Sequence, residues 1–179
     1  MKILAIQASP RKHGNCDILM DEMIAGALSN GHDIEKIYLD DLDISPCQAC
    51  LYCQKHGECK IDDDESDLIE KLLVVDGLIF ATPIYYGHMT AQAKLFVDRT
   101  YQIAFNPDKN FSGKVALIFT HADGEGKYSP YIEYTKYAPF EVMGFEELDT
   151  VVVGSVFGKG QVKSQPNKLK KAQEIGEKF

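Results

Sequence analysis

The sequence predicts an α/β fold: a doubly wound sheet of five parallel strands with a cysteine-rich loop set into it. Three observations carry this reading. Short apolar runs alternate with segments of helical spacing along the chain, the order that builds a parallel sheet from crossover units. The run Val115-Ala116-Leu117-Ile118-Phe119 suits a strand covered on both faces. One connection, residues 40–63, is long for a strand-to-helix turn and holds four cysteines and a proline, and a loop of that kind inside a compact domain usually carries function.

The elements follow in order. Residues 2–8 form a first strand that ends at Ser9-Pro10. Residues 15–30 place Ile18, Leu19, Met23 and Ala27 on one helical face, and Gly31 stops the helix. Residues 33–39 read as a less hydrophobic strand near a sheet edge. Beyond the long loop, residues 65–75 form a helix with Leu68, Ile69, Leu72 and Leu73 inward, and the acidic run before it suits a helix N-terminus. Strand 77–82 ends at Pro83, and a helix from 90 to about 103 takes Thr90 as its N-cap. Residues 114–120 are the fourth strand. Pro130 and Pro139 interrupt a partly helical stretch, 128–143. Residues 148–153 are the fifth strand, and 162–179 a Lys- and Glu-rich helix with Pro166 near its start. No repeat or linker divides the chain, so residues 1–179 are expected to form one domain, with the cysteine loop at about 44–62.

Composition narrows the functions. The chain has 179 residues, 45% of them apolar, which suits a globular domain with one core and excludes a disordered chain. A formal charge of −8 argues against nucleic acid, whose phosphates need a basic surface. No stretch approaches the ~18–20 apolar residues of a membrane span. The first eight residues are too short for a secretory leader and read as a core strand, so a cytoplasmic protein with no membrane partner is expected.

Such folds bind ligands at the carboxyl ends of their strands, so the loops there carry the functional reading. Ser9-Pro10-Arg11-Lys12-His13-Gly14-Asn15 follows the first strand and opens the first helix. A helix N-terminus seats phosphate; Ser9 and Asn15 add neutral donors, Arg11 and Lys12 charge. There is no dinucleotide fingerprint and no Walker loop here. The bland alternative is a polar turn with an Asn N-cap. Cys16 lies in the first helical turn, where a thiol can be activated, but no general base is beside it in sequence, which favours a small packed residue. After the third strand, Pro83-Ile84-Tyr85-Tyr86-Gly87-His88 combines a stiff start, a flexible glycine and two flat aromatic faces. That is a wall for a planar flavin, with core capping by one tyrosine as the alternative and no catalytic role for His88. The spacing Cys47-x-x-Cys50-x-x-Cys53-x5-Cys59 can wrap one iron–sulfur cubane. Structural zinc more usually shows two separated Cys-x-x-Cys pairs, and disulfides are disfavoured in a reducing compartment.

These pieces together resemble the iron–sulfur flavoproteins of archaea and other anaerobes, a branch of the NADPH-dependent FMN reductase group with a flavodoxin-like fold. The resemblance runs from Met1 to about Thr120 and rests on Ser9-Pro10-Arg11-Lys12 with Asn15, the motif Cys47 to Cys59, and Pro83-Ile84-Tyr85 followed by Ala93-Lys94 and Asp98-Arg99. It implies that Ser9, Arg11, Asn15 and Cys16, with Lys12 nearby, surround an FMN phosphate, and that Pro83, Ile84, Tyr85, Tyr86, Gly87 and His88 lie along the flavin ring. His121, Asp123 and Gly124, in a Gly-bearing loop after the fourth strand, are expected to border the flavin. The resemblance further implies that Cys47, Cys50, Cys53 and Cys59 bind a 4Fe–4S cluster near a subunit interface, close to a partner chain's flavin, in a homodimer or homotetramer. Its implied function is electron transfer from ferredoxin-like donors through the cluster to FMN, and on to oxygen or peroxide, with no side chain acting as catalytic acid or base. Two rival readings stand beside it: a cluster-free NAD(P)H-dependent FMN or quinone reductase, and a non-enzymatic flavodoxin-like carrier.

Overall fold

The structure is a computed structural model that describes residues 1–106 and 112–179. Its strands are β1 (Lys2–Gln7), β2 (Asp33–Tyr38), β3 (Gly77–Tyr85), β4 (His88–Met89), β5 (Gly113–Thr120) and β6 (Phe145–Val153). Its helices are α1 (Asn15–Ser29), α2 (Tyr52–His56), α3 (Asp64–Leu72), α4 (Ala91–Arg99), α5 (Ser129–Thr135) and α6 (Pro166–Gly176). Five strands run parallel in the order β2-β1-β3-β5-β6, and β4 pairs antiparallel with β3. The flavodoxin-like, doubly wound sheet expected from the sequence is therefore present, with the small antiparallel strand added.

Alternation along each strand sends neighbours to opposite faces. Leu4, Ile6, Leu78, Phe80, Leu117 and Phe119 enter one apolar cluster, which Leu68, Phe96 and Phe140 complete. Ile3, Ala5, Ile79, Ala81, Ala116 and Ile118 enter the other, closed by Leu19, Met23 and Ile175. All are essentially sealed from solvent, each large side chain worth about 1.5–3 kcal/mol of burial. The second face carries the alanines, so its helices come in close. There α1 and α6 meet backbone to backbone: a Cβ at Gly26 would stand 2.1 Å from the Gln173 carbonyl oxygen, and one at Gly176 1.9 Å from that of Met23. No side chain fits at either crossing.

Several boundaries differ from the sequence expectation. β3 runs through Pro83 to Tyr85, because the proline ring fits extended backbone and stands opposite Thr120 at the last rung of that ladder. The chain then turns at Tyr86 (φ 50°) and Gly87 (φ 84°), two left-handed residues that make a tight hairpin into β4. β6 begins at Phe145, with a register shift in its pairing to Val115 and Ala116 that breaks the alternation a sequence reader follows. The helix after Thr90 tightens into a 3-10 turn at Thr100–Phe105. The Thr90 hydroxyl caps it, accepting from Ala93 N at 3.2 Å. The long loop contains α2, which buries none of its residues and so shows no apolar period.

Candidate functional site

The strand order reverses between β1 and β3, and a cleft of ≈ 450 Å³ opens at their carboxyl ends. Backbone and capping bonds fix its floor. Ala8 N donates to Ala81 O at 2.8 Å, and the Thr90 hydroxyl to Ala8 O at 2.7 Å. Gly14 caps α1 without any side-chain hydrogen bond, so the first-turn N–H groups keep their partial positive charge. The loop before α1 is turned by local bonds: Arg11 N donates to Ser9 Oγ at 3.2 Å, and His13 N to the buried Asp17 carboxylate at 2.5 Å. Lys36 and Tyr38 also hold Asp17, and against its burial these partners keep its carboxyl below the usual range.

Residues from the far end of the chain fasten this loop. Arg11 donates to Phe157 O at 3.0 Å, Asn15 Nδ2 to Gly158 O at 3.0 Å, and Val162 N to Asn15 Oδ1 at 3.0 Å. The Asn15 side chain is thus spent on bracing the loop after β6. Cys16 is buried, its Sγ 3.1 Å from Thr120 Oγ1. Burial pushes its thiol up to about 12, which makes it an unreactive packing group at neutral pH.

The cleft brings together Ser9, Arg11, Asn15 and Cys16 from the first loop, Pro83 to Tyr86 from the third strand's end, and His121 and Asp123 from the loop after β5. It does not gather Lys12, Gly87, His88 or Gly124 into its lining. Lys12 pairs with Asp41 at 2.7 Å, His88 packs edge-on against Tyr131, and Gly87 serves the hairpin turn. Thr120, Tyr128, Val156 and Phe157 also line the cleft and were not singled out from the sequence. A polar-and-apolar trough starting at a helix N-terminus is the right shape of site for a phosphate joined to a flat ring. Two buried groups in or beside it, the His121 imidazole and Gln7 Nε2, lack partners among the described residues.

The four clustered cysteines line a separate, more apolar cavity of ≈ 630 Å³. The two cavities share no lining residue. None of the five cysteines is in a disulfide. Burial raises the Cys53 thiol, and Cys59, Cys47 and Cys50 add to the rise, so Cys53 senses the other three. Among the described residues no three metal-ligating side chains form a group that could hold an ion. In kind, four unpaired thiols in one cavity suit an iron–sulfur cluster.

One buried side chain ties this loop down. Arg99, 2% exposed, donates to Ser45 O at 2.9 Å and to Ile61 O at 3.2 Å, gripping the chain on either side of the cysteines. It also forks onto Asp63 at 2.8 and 3.1 Å, and this holds the Asp63 carboxyl below its usual range against partial burial. Cys59 N donates to Gln102 Oε1 at 2.9 Å, next along from the same helix. Glu65 is fully buried with neither oxygen hydrogen-bonded among the described residues. Burial pushes it up to about 8 despite Arg99 Nε at 3.4 Å. The 3.4 Å contact is an ion-pair distance, but desolvation of the carboxylate outweighs it.

Comparison with known proteins follows the same division. Residues 1–131 match the sequence profile of the family described as NADPH-dependent FMN reductase. An iron–sulfur flavoprotein of Archaeoglobus fulgidus is 31% identical over 100% of this chain and 79% of its own length. One of Methanocaldococcus jannaschii is 33% identical over 70% of this chain, and the match spans 66% of that protein, just short of two thirds. Among solved structures, an NAD(P)H:quinone oxidoreductase from Methanothermobacter marburgensis superposes with a TM-score of 0.80 at 16% identity, over 99% of this chain and 98% of that one. At that identity the likeness speaks for the fold alone. Among the described residues no helix is long and apolar enough to cross a membrane.

Proposed function

Because the chain belongs to the NADPH-dependent FMN reductase family, and within it resembles the iron–sulfur flavoproteins, we propose that it is an FMN-dependent oxidoreductase that passes electrons between FMN and a 4Fe–4S cluster. The donor would be a ferredoxin-like protein and the acceptor a small molecule such as oxygen or peroxide. The observation that carries the reading is the convergence of three strand-end loops on one cleft. Bound there, FMN would supply two-electron chemistry, and a cluster on the four thiols one-electron traffic.

The chain's own residues take simple roles in this reading. Ser9, Arg11 and the N-terminus of α1 bind phosphate, with Lys12 adding charge from outside the cleft. Pro83 to Tyr86 orient the ring, with Gly87 and His88 shaping the hairpin behind them. His121 and Asp123 border the ring's far side, with Gly124 next to them. Cys47, Cys50, Cys53 and Cys59 hold iron, with Arg99 setting the span of their loop. The two cavities share no lining residue, which supports a homodimer or homotetramer in which the cluster of one protomer serves its partner's flavin.

A second reading has a specific observation behind it. No metal-holding group forms among the described residues, which favours a cluster-free NAD(P)H-dependent FMN or quinone reductase. A UV–visible spectrum of anaerobically purified protein, before and after dithionite, separates the two. Flavin bands on a broad shoulder that bleaches, with the shoulder and the iron lost in Cys53→Ser but the flavin kept, are the expected result. Flavin bands without a shoulder, together with fast reduction by NADPH, overturn it in favour of the second reading.

A further inference from the structure

His121 lines the flavin cleft on one side and, on the other, a second cavity of ≈ 160 Å³ whose polar groups come from Glu125, Ser129, Glu133, Lys136 and Lys168. The residue is 3% exposed, neither ring nitrogen makes a well-aligned hydrogen bond among the described residues, and the Asp123 backbone is the polar group that faces the ring.

The ring is nevertheless held in place. His121 N donates to Val153 O, and Val156 N to His121 O, both at 3.0 Å. The Tyr128 ring meets the imidazole edge-on, centroids 5.1 Å apart. Behind it, a Cβ at Gly154 would come 2.9 Å from His121 Cε1, so the absence of a side chain there makes the ring's space. The molecule fixes the imidazole between the two cavities, with both ring nitrogens buried.

We propose that His121 carries protons between solvent in the rear cavity and the flavin cleft. This rests on the FMN reading above. When a one-electron iron–sulfur donor reduces FMN, the electrons arrive without protons, and the reduced ring must take its protons from the protein or from water. One imidazole nitrogen accepts a proton from water in the rear cavity, the other releases one to the ring, and the imidazole returns to its neutral form. An O–H bond of water breaks as the first N–H forms, the hydroxide being neutralised by solvent; the second N–H breaks as its proton joins the ring, proton exchange restores the starting tautomer, and the electrons come wholly from the iron–sulfur donor.

The charges facing the ring suit this role. Asp123 and Glu125 of its own loop favour the protonated form, and Lys168 of α6 opposes it. Tyr128 donates its hydroxyl to Asp123 at 2.6 Å, Lys168 pairs with Glu125 at 2.7 Å, and Lys136 with Glu133 at 3.0 Å. On the cleft side stands the un-ionised Cys16 thiol. Burial, the largest influence, holds the imidazole below its ordinary range, so the neutral, proton-accepting form prevails at neutral pH.

The test uses the FMN-loaded protein and His121→Gln, which keeps an amide of similar reach and cannot titrate. FMN affinity is read by fluorescence quenching, and the rate of flavin reduction by dithionite by stopped flow, across pH and in H2O and D2O. The expected variant binds FMN within about threefold of wild type but is reduced about 100-fold more slowly, the scale of a lost acid–base group. Its pH dependence flattens, and added imidazole restores the rate. Ser129→Leu plugs the rear cavity without touching the cleft and is expected to slow reduction with FMN affinity unchanged, which keeps the test decisive if the Gln variant folds poorly. Unchanged rates and pH profiles in both variants overturn the proposal. Loss of FMN from His121→Gln, with Ser129→Leu at the wild-type rate, makes His121 a flavin-holding group and overturns it too. A wild-type protein that takes up no FMN removes the functional reading, and the relay with it.

Discussion

In the strand-end cleft, main-chain pairing and short side-chain ties from the chain's two ends share the holding. β1 and β3 are tied through Ala8 and Ala81, the hairpin at Tyr86-Gly87 is closed by pairing, and loops from both ends of the chain bond one another around Arg11 and Asn15. The cysteine cavity hangs instead from side chains of one neighbouring segment: Arg99 reaches Ser45, Ile61 and Asp63, and Gln102 accepts from Cys59 N. Both regions carry non-glycine residues in the left-handed region, Ala49 (φ 49°) and Leu51 (φ 58°) in the cysteine loop and His13 (φ 59°) and Tyr86 (φ 50°) in the loops around the cleft, each costing about 1–2 kcal/mol. A site laid down by topology can leave a side chain such as His121 unpaired. A site laid down by the spacing of its thiols takes its position from a neighbouring helix and turn.

Removing the clamp should separate the two regions most sharply. Arg99→Ala leaves Asp63 and Glu65 without their cation, and a broken buried ion pair costs about 3–5 kcal/mol. Urea unfolding should show that loss, and iron content should fall to background while the folded fraction still takes FMN. Equal loss of FMN and iron would show that the two sites are one cooperative unit.

A smaller difference lies in the pH dependence. Glu65 stands at about 8 in the folded chain against an ordinary 4.5, so the folded state holds an extra proton between those values. The stability it contributes is whole below about pH 4.5 and is lost as pH rises towards 8. Glu65→Gln should therefore lose less stability than wild type between pH 5 and pH 8 in urea titrations. Equal slopes in the two proteins would place the carboxyl's titration elsewhere.

The smallest effect is chemical. In metal-free folded protein at pH 8, iodoacetamide should label Cys47 and Cys50, which are exposed, and Cys53 and Cys59 more slowly. Cys16, pushed up to about 12, should be labelled only after unfolding. Peptide mass mapping reads this directly, and early labelling of Cys16 would mean that the cleft opens on its own.

What could be read from sequence divides along the same line. The parallel doubly wound sheet follows from alternation and apolar runs, and with it the place of Ser9, Arg11, Pro83 and His121 at strand ends, because a local pattern decides both. Phe157 and Val156 come to the cleft through bonds spanning 146 and 147 positions, at Arg11–Phe157 and Asn15–Val162, and no local period marks such partners. Arg99 was legible only as part of a motif. That it grips both ends of the cysteine loop depends on the buried end of α4 facing residues 45 and 61. The bulged start of β6 and the hairpin to β4 escaped for a different reason: an extra residue in one strand and two left-handed residues both interrupt the period on which a strand reading relies.

The backbone contact between α1 and α6 at Gly26 and Gly176 has a consequence for how the protein is made. The Ser9–Asn15 loop is made early, but the carbonyls and amides that fasten it, at Phe157, Gly158 and Val162, lie 146, 143 and 147 positions after their partners, next to the helix that seals the back of α1. A nascent chain halted after β5 carries the phosphate loop without its fasteners. In the proposed reading FMN would meet its fastened phosphate loop only once the segment after β6 is in place, and fusions that hold α6 away from α1 are expected to lower flavin content before they disturb the core.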